Sequence, residues 1–202
     1  LKPLAVRNTS FATMSIDFSD INRDGHMDFF AADMLSMEHK RRKTQMGSMS
    51  ATPISIGEIN NRPQYMRNTL FLNRGDNTYA EIAQHAGLQG SEWTWSSLFM
   101  DVDLDGFEDL IITNGHMFDV QDADTQQKLA TMKIRSLKEY QQQILEYPIL
   151  NTSNIIFKNN GDLTFSDLSA EWGFVDKDIS HGASLGDLDN DGDLDIVINR
   201  FN

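Results

Sequence analysis

Three short segments of the sequence carry the same acidic pattern, Asp-x-[Asp/Asn]-x-Asp-Gly-x-x-Asp. We call them loop 1 (20–28), loop 2 (101–109) and loop 3 (187–195). Side chains at positions 1, 3 and 5 can point oxygen atoms into one loop, Gly at position 6 permits a sharp turn, and the carbonyl of position 7 can face the same centre. Asp at position 9 would close the shell. Because calcium takes about six to eight oxygen ligands, the pattern predicts up to three bound Ca²⁺ ions, one in each loop. The candidate ligands are Asp20, Asn22, Asp24, His26 and Asp28; Asp101, Asp103, Asp105, Phe107 and Asp109; and Asp187, Asp189, Asp191, Asp193 and Asp195.

The spacing excludes an EF-hand, which these loops resemble up to position 7. An EF-hand needs Glu at position 12 and a helix on each side. Here position 12 is Ala31, Ile112 or Ile198, and the flanking residues favour strands. Magnesium fits less well than calcium, because it rarely uses a cage made only of protein oxygens. In loop 1 an uncharged residue, Asn22, stands at position 3, so we expect weaker binding there.

The charge within each loop also indicates a cation. Loops 2 and 3 each place four carboxylates at positions 1, 3, 5 and 9, and these repel one another strongly without a metal. Some would then have to take up a proton, or the loop would open. The alternative is a set of Asp/Gly turns that are present only for their turn chemistry. Three copies with the same ligand spacing favour metal binding.

The loops belong to a longer internal repeat. Residues 68–116 align without a gap with residues 154–202, and loop 1 matches the second half of the same unit. Each unit contains an apolar strand pattern on both sides of the Asp loop and a short hairpin with Gly in its turn, as at 69–82. Two hairpins make a four-stranded sheet, and such sheets repeated radially form a β-propeller. A solenoid is the alternative, but its repeat is usually shorter.

The predicted fold is therefore all-β with a helical insertion, a partial β-propeller of about two and a half four-stranded blades. The whole chain, 1–202, forms one segment of this propeller. The first blade covers 11–82 with an insertion at 34–67, the second covers 92–168 with a helical insertion at 116–153, and a half blade covers 180–202.

The two insertions differ in kind. Residues 124–146 are predicted to form a helix that begins at Asp122 or Asp124 and ends before Pro148. Its apolar residues are expected to pack on the sheet edge. Residues 34–67 show no clear period and are interpreted as a long ordered loop. The basic run at 39–43 within it is interpreted as a solvated or internally paired surface.

Composition narrows the classes of partner. The chain has 202 residues, with 30 acidic against 17 basic side chains, a net charge of −13 and no cysteine. That charge argues against nucleic acid or an anionic membrane as partner. No apolar run is long enough to span a membrane, and a disulfide scaffold is excluded. The first residues do not read as a signal peptide and lack an initiator Met, so we expect a mature or excised piece of a longer chain.

The loops and hairpins together resemble the FG-GAP or VCBS repeats of integrin-α-type propellers. The segments "RNTLFLNRGDNTYAEIAQHAGL" and "WTWSSLFMDVDLDGFEDLIITNG" are most similar to the cartilage acidic protein-like group, in which an ASPIC/UnbV segment often follows. The resemblance covers nearly the whole chain. It implies an incomplete propeller completed by the rest of a parent chain, calcium in the hairpin loops, and an extracellular, periplasmic or cell-surface location.

Other motifs carry less weight. Arg74-Gly75-Asp76 is an adhesion-type tripeptide, but Gly and Asp recur in the second copy and belong to the hairpin turn. Trp93, Trp95 and Trp172 are compatible with sugar stacking, although packing between blades is favoured.

We find no catalytic constellation in the sequence, so we expect no enzyme activity from this segment. A calcium-binding module that recognises protein or carbohydrate is the leading hypothesis. A structural spacer and the propeller portion of a secreted enzyme acting on polysaccharides or phosphoesters are the alternatives.

Overall fold

The protein is built mainly from antiparallel β-strands. The computed structural model describes residues 5–45, 63–133 and 136–201. The strands are β1 (Thr9–Ser10), β2 (Ser15–Ser19), β3 (Asp28–Ala32), β4 (Gln64–Tyr65), β5 (Thr69–Asn73), β6 (Tyr79–Glu81), β7 (Thr94–Met100), β8 (Asp109–Asn114), β9 (Ile155–Asn159), β10 (Phe165–Asp167), β11 (Ile179–Gly186) and β12 (Asp195–Phe201). The helices are α1 (His39–Gln45), α2 (Ala83–Ala86), α3 (Ala123–Ala130) and α4 (Leu137–Gln142), and a 3₁₀ turn (Gln143–Glu146) follows α4. No helix in these ranges is long and apolar enough to cross a membrane.

The strands form two four-stranded sheets and a further hairpin. Sheet 1 has the order β2-β3-β5-β6, sheet 2 the order β7-β8-β9-β10, and sheet 3 is the pair β11-β12. Each is antiparallel, and β1 and β4 form a separate short parallel pair. The pairing of β3 with β5 and of β8 with β9 agrees with the pairing that the repeat predicts. The all-β architecture with short helices is thus confirmed.

The sheets stack with their first strands side by side. The Ser15 hydroxyl on β2 lies 2.7 Å from the Ser97 hydroxyl on β7, and the Phe99 amide donates to Asp17 over 2.7 Å. On the other side of sheet 2, the rings of Trp95 and His181 are 4.5 Å apart. Sheet 2 is therefore covered on both faces, which explains why every residue of β8 is buried.

The main hydrophobic core fills the space between sheets 1 and 2. Phe30 and Leu70 of sheet 1 meet Leu110, Ile112 and other residues of sheet 2 there. The strand alternation decides which side chains take part. On β2, Ser15 and Asp17 face sheet 2, whereas Ile16 and Phe18 point away and are 53% and 58% exposed.

The helical insertion differs from its prediction. Instead of one helix over 124–146, α3 ends at Ala130 and α4 begins after Ser136, with residues 134–135 outside the described part of the chain. Asp122 caps α3 by accepting from the Thr125 amide, as expected, but Ser136 caps a second helix by accepting from the Glu139 amide. Neither helix buries a side chain, so the predicted apolar packing on the sheet edge is wrong.

The first insertion also contains more structure than predicted. Residues 34–67 were expected as a loop, yet α1 and β4 lie within it; residues 46–62 fall outside the described residues. Helix α1 has only seven residues and is held by polar contacts rather than by an apolar stripe. Gln45 is fully buried and accepts a 2.8 Å hydrogen bond from the Ser36 amide.

Candidate metal centre

All three Asp loops lie at the same end of the sheets. Each joins the first two strands of its sheet, and the hairpin turns after β5 and β9 return to that end. Contacts confirm the neighbourhood: the Asn73 side-chain amide donates to the Met27 carbonyl over 3.1 Å, and Asn159 donates to the Glu108 carbonyl over 3.2 Å. Because the strands are antiparallel, the two insertions leave from the opposite end.

The three loops share one backbone conformation. Gly at position 6 has φ of 84°, 94° and 102° in loops 1, 2 and 3, as the sharp turn requires. At Gly106 a Cβ would also collide with the guanidinium of Arg23. Position 4 adopts the left-handed region as well, with φ of 61° at Arg23, 58° at Leu104 and 61° at Asn190. The sequence did not indicate this, because Arg and Leu have no preference for that region.

The carboxylate at position 1 organises each turn. Asp20 accepts from the amides of Asp24 (3.0 Å) and Gly25 (2.8 Å). Asp101 accepts in the same way from Asp105 (3.0 Å) and Gly106 (2.8 Å), and Asp187 from Gly192 over 3.2 Å. These bonds leave the remaining lone pairs of the carboxylates free for a cation.

Loops 2 and 3 each bring three carboxylates together. One oxygen from each of Asp101, Asp103 and Asp109 lies within 4.8 Å of the others, and the same holds for Asp187, Asp189 and Asp195. Positions 1, 3 and 9 therefore meet as predicted, whereas the position 5 residues, Asp105 and Asp191, are not in these groups. Among the described residues, loop 1 forms no such group of three acids, since Asn22 replaces its second Asp.

Position 5 instead accepts a hydrogen bond from position 7. The amides of His26, Phe107 and Asp193 donate to Asp24, Asp105 and Asp191 over 2.9, 2.9 and 3.2 Å. The side chains of position 7 extend onto the following hairpin: the His26 ring covers Gly75, and the Phe107 ring covers Gly161. In loops 1 and 2, position 7 thus joins the loop to the following hairpin as well as offering a carbonyl.

Position 9 has a second role that the sequence did not reveal. Asp28 is fully buried and accepts from the amides of Ile21 (3.1 Å) and Asn73 (2.7 Å) with its two oxygens. Asp109 repeats this with Val102 (3.0 Å) and Asn159 (2.8 Å). One carboxylate therefore ties the loop to the next hairpin. Burial raises the pKa of Asp28 to about 6 and raises that of Asp109.

Asn159 extends these connections between the two sheets. Its side-chain amide also donates to the Ile21 carbonyl in loop 1, over 2.9 Å. Ile21 belongs to the first repeat unit and Asn159 to the second, so this hydrogen bond joins loop 1 to sheet 2.

Loop 2 has basic neighbours. The Lys158 ammonium on β9 bonds to Asp103 and, over 2.7 Å, to Asp105. These hydrogen bonds raise the pKa of Lys158, and the bond from Lys158 is the main cause that lowers the pKa of Asp105. The Arg23 guanidinium of loop 1 lies 4.9 Å from the centre of the Phe107 ring.

Loop 3 differs from loop 2 in its charged surroundings. Among the described residues, none of its carboxylates forms an ion pair with Lys, Arg or His. The nearest equivalent is a contact between two acids: a hydrogen bond with Asp191 and repulsion from its charge raise the pKa of Asp193. The hard carboxylate oxygens of loops 2 and 3 fit a divalent cation of the calcium or magnesium type.

The Arg74-Gly75-Asp76 turn and Trp95 have structural roles. Asp76 accepts from the Thr78 amide (2.9 Å) and Asp162 from the Thr164 amide (3.0 Å), so the adhesion-type tripeptide occupies an ordinary repeated turn. Trp95 packs between sheets 2 and 3 and donates to the Gly115 carbonyl over 2.6 Å, which supports the interpretation as packing.

Comparison with models of known protein families finds no match to this chain, and neither does a search of curated protein sequences. The similarity to FG-GAP or VCBS repeats is therefore carried by the sequence motifs alone.

Proposed function

We propose that this chain is a calcium-binding segment of an extracellular, periplasmic or cell-surface β-propeller, and that it acts as a non-catalytic binding or scaffold module for protein or carbohydrate. The observation that carries the proposal is the repeated convergence of positions 1, 3 and 9 in loops 2 and 3. Oxygen-only ligands on a flexible loop suit calcium better than magnesium, which demands tighter geometry and keeps more water.

The arrangement of the sheets supports the propeller. Two four-stranded meanders and a further hairpin repeat with their first strands side by side, and their equivalent loops point the same way. A β-propeller is a radial repeat of four-stranded sheets, and further copies of this unit would extend the series into one.

A binding role is supported at the end of the sheets opposite the Asp loops. A cleft of about 580 Å³ lies there between the two insertions. Its walls combine charged residues of both signs, such as Lys40 and Glu38, with the exposed apolar side chain of Ile149. A glycan array and a protein-binding screen with the full-length parent chain test this part of the proposal.

Calcium dependence is the first prediction. A cation that binds only the folded state at a hundredfold excess over its Kd adds about 2.7 kcal/mol per site. Calcium should therefore raise the melting temperature above that in EDTA, and calorimetric titration should detect binding that is tighter for CaCl₂ than for MgCl₂. The combined variant Asp103→Asn/Asp189→Asn should lose most of this gain.

The matched control is Asp124→Asn, which removes one charge from α3 at the opposite end of the sheets. It should keep the full calcium response. Melting curves that are identical in calcium and EDTA would refute the metal assignment.

A further inference from the structure

We propose that Lys158 is a built-in counter-cation of loop 2, so that loop 2 stays folded without metal and binds calcium more weakly than loop 3. The two loops carry the same acids at positions 1, 3, 5 and 9, so the ligand pattern alone predicts equal affinities. This inference rests on the proposed calcium function.

The position of Lys158 carries the argument. It lies on β9 directly before Asn159, whose amide is bonded to Asp109 of the same loop. From there its ammonium reaches two loop carboxylates at once, those of Asp103 and Asp105. Asp103 is one of the three acids that converge in loop 2. Lys158 therefore neutralises charge at the place where a metal would bind.

Comparison of the repeat units shows that this lysine is not a shared feature of the repeat. In the first unit the residue aligned with Lys158 is Leu72, which has no charge to offer loop 1. There the Asn22 side-chain amide donates to Asp24 over 3.0 Å and relieves repulsion without a cation. In loop 3, Asp191 and Asp193 face each other as two acids. Loops 1 and 2 thus relieve the repulsion among their acids by different means, and among the described residues loop 3 has neither of them.

Arg23 adds to the effect at loop 2. Its guanidinium sits against Phe107 and Gly106, within the turn itself. A divalent cation entering loop 2 would approach two fixed positive charges, and Coulomb repulsion opposes this approach. Loop 3 presents no such obstacle among the described residues, and its acids gain more from a metal.

The test removes the ammonium and keeps the length of the side chain. Calorimetric titration with CaCl₂ compares the wild type with Lys158→Met and with the control Lys138→Met, which removes the same charge from α4 at the opposite end. Lys158→Met should strengthen one site about tenfold, the effect of losing a charge-assisted hydrogen bond that competes with the metal. Lys138→Met should change every site less than about twofold. Adding Asp103→Asn to Lys158→Met should abolish the gain and so assign it to loop 2.

A second readout is the melting temperature in EDTA. Lys158→Met should melt below Lys138→Met, because the acids of loop 2 lose their counter-cation. Calcium affinity that is unchanged or weaker in Lys158→Met than in the control would overturn the inference while leaving the proposed function intact. If the wild type binds no calcium, the proposed function fails and the inference fails with it.

Discussion

At the scale of single residues, the position 9 aspartate serves two partners with one carboxylate. Asp28 accepts hydrogen bonds from the start of its own loop, at Ile21, and from the last residue of β5, Asn73, and it is completely buried. Burial of the charge, opposed in part by these two backbone hydrogen bonds, raises the pKa of Asp28 to about 6. Asp28 is one of the calcium ligands that we propose for loop 1, and a ligand with such a pKa would make calcium binding there sensitive to mild acid.

The second prediction is that loop 1 loses calcium between pH 7 and pH 5. Below about pH 6 a proton competes with the metal for Asp28, whereas the pKa of Asp24 in the same loop is lowered by its hydrogen bond from Asn22. Titration at both pH values, in buffers of different ionisation enthalpy, should show weaker binding and proton release near pH 6. Equal affinity at both pH values would contradict it.

In the metal-free protein, the contribution of Asp28 to stability should change with pH in the opposite direction. The pKa of Asp28 is higher in the folded state than its ordinary value of 3.8, so protonation of this group favours folding. Its stabilising contribution is complete below about pH 4 and is lost as the pH rises through 6. Comparison of melting curves with EDTA and with calcium therefore separates proton linkage from metal linkage.

At the scale of secondary-structure elements, an ion-pair network joins helix α1 to the rest of the protein. The Arg41 guanidinium bonds to Glu92, which precedes β7, and to Asp119, which follows β8; the Asp119 contact measures 2.7 Å. The Arg41 side chain is only 10% exposed. Glu92 also accepts from the Ser36 hydroxyl and the Met37 amide, each over 2.8 Å. The network therefore fastens the first insertion to the second and to sheet 2.

The third prediction concerns Arg41→Leu. Removal of Arg41 leaves the buried Asp119 and the half-buried Glu92 without their cation, which costs about 3 kcal/mol, the lower end of the range for a broken buried pair. Urea unfolding should show this loss. The control Lys40→Leu, on an exposed position of the same helix, should change the free energy of unfolding by less than about 0.5 kcal/mol. A loss for Arg41→Leu no greater than that of the control would show that α1 does not depend on the network.

The sequence was sufficient to predict the sheets, but it did not predict the ion pairs of Lys158 and Arg41. The repeated turns and alternating strands determine local pairing, so the partners of β3 and β8 could be predicted. The same spacing predicted the meeting of positions 1, 3 and 9. Lys158 and Arg41 act on residues more than fifty positions away, and nothing in their local sequence signals those partners. The helix over 124–146 failed because Ser136 caps a new helix within the predicted one.

At the scale of the whole molecule, sheet 1 presents an apolar surface. Ile16 and Phe18 are exposed on β2, and the Phe18 ring lies 5.6 Å from that of Phe29, which stacks on Phe71 at 4.6 Å. Contiguous apolar surface of this kind promotes association. Asp17 faces the opposite side, so the surface can be altered without touching the contact with sheet 2.

The fourth prediction is that the 202-residue chain associates at high concentration. Light scattering should show a mass above 22.9 kDa, and Ile16→Ser/Phe18→Ser should restore the monomer. Met117→Ser, which replaces an equally exposed residue in the second insertion, should leave association unchanged. A monodisperse 22.9 kDa wild-type monomer would refute it.

The bond from Asn159 to the Ile21 carbonyl has a consequence for the order of folding. It joins residues 138 positions apart, whereas each hairpin closes over a few residues. A short hairpin forms within microseconds, whereas bringing together residues that are far apart in sequence costs more chain entropy before any contact forms. During synthesis, loop 1 leaves the ribosome long before its partner exists. The Ile21 carbonyl therefore stays hydrogen-bonded to water until β9 has been synthesised and sheet 2 has formed.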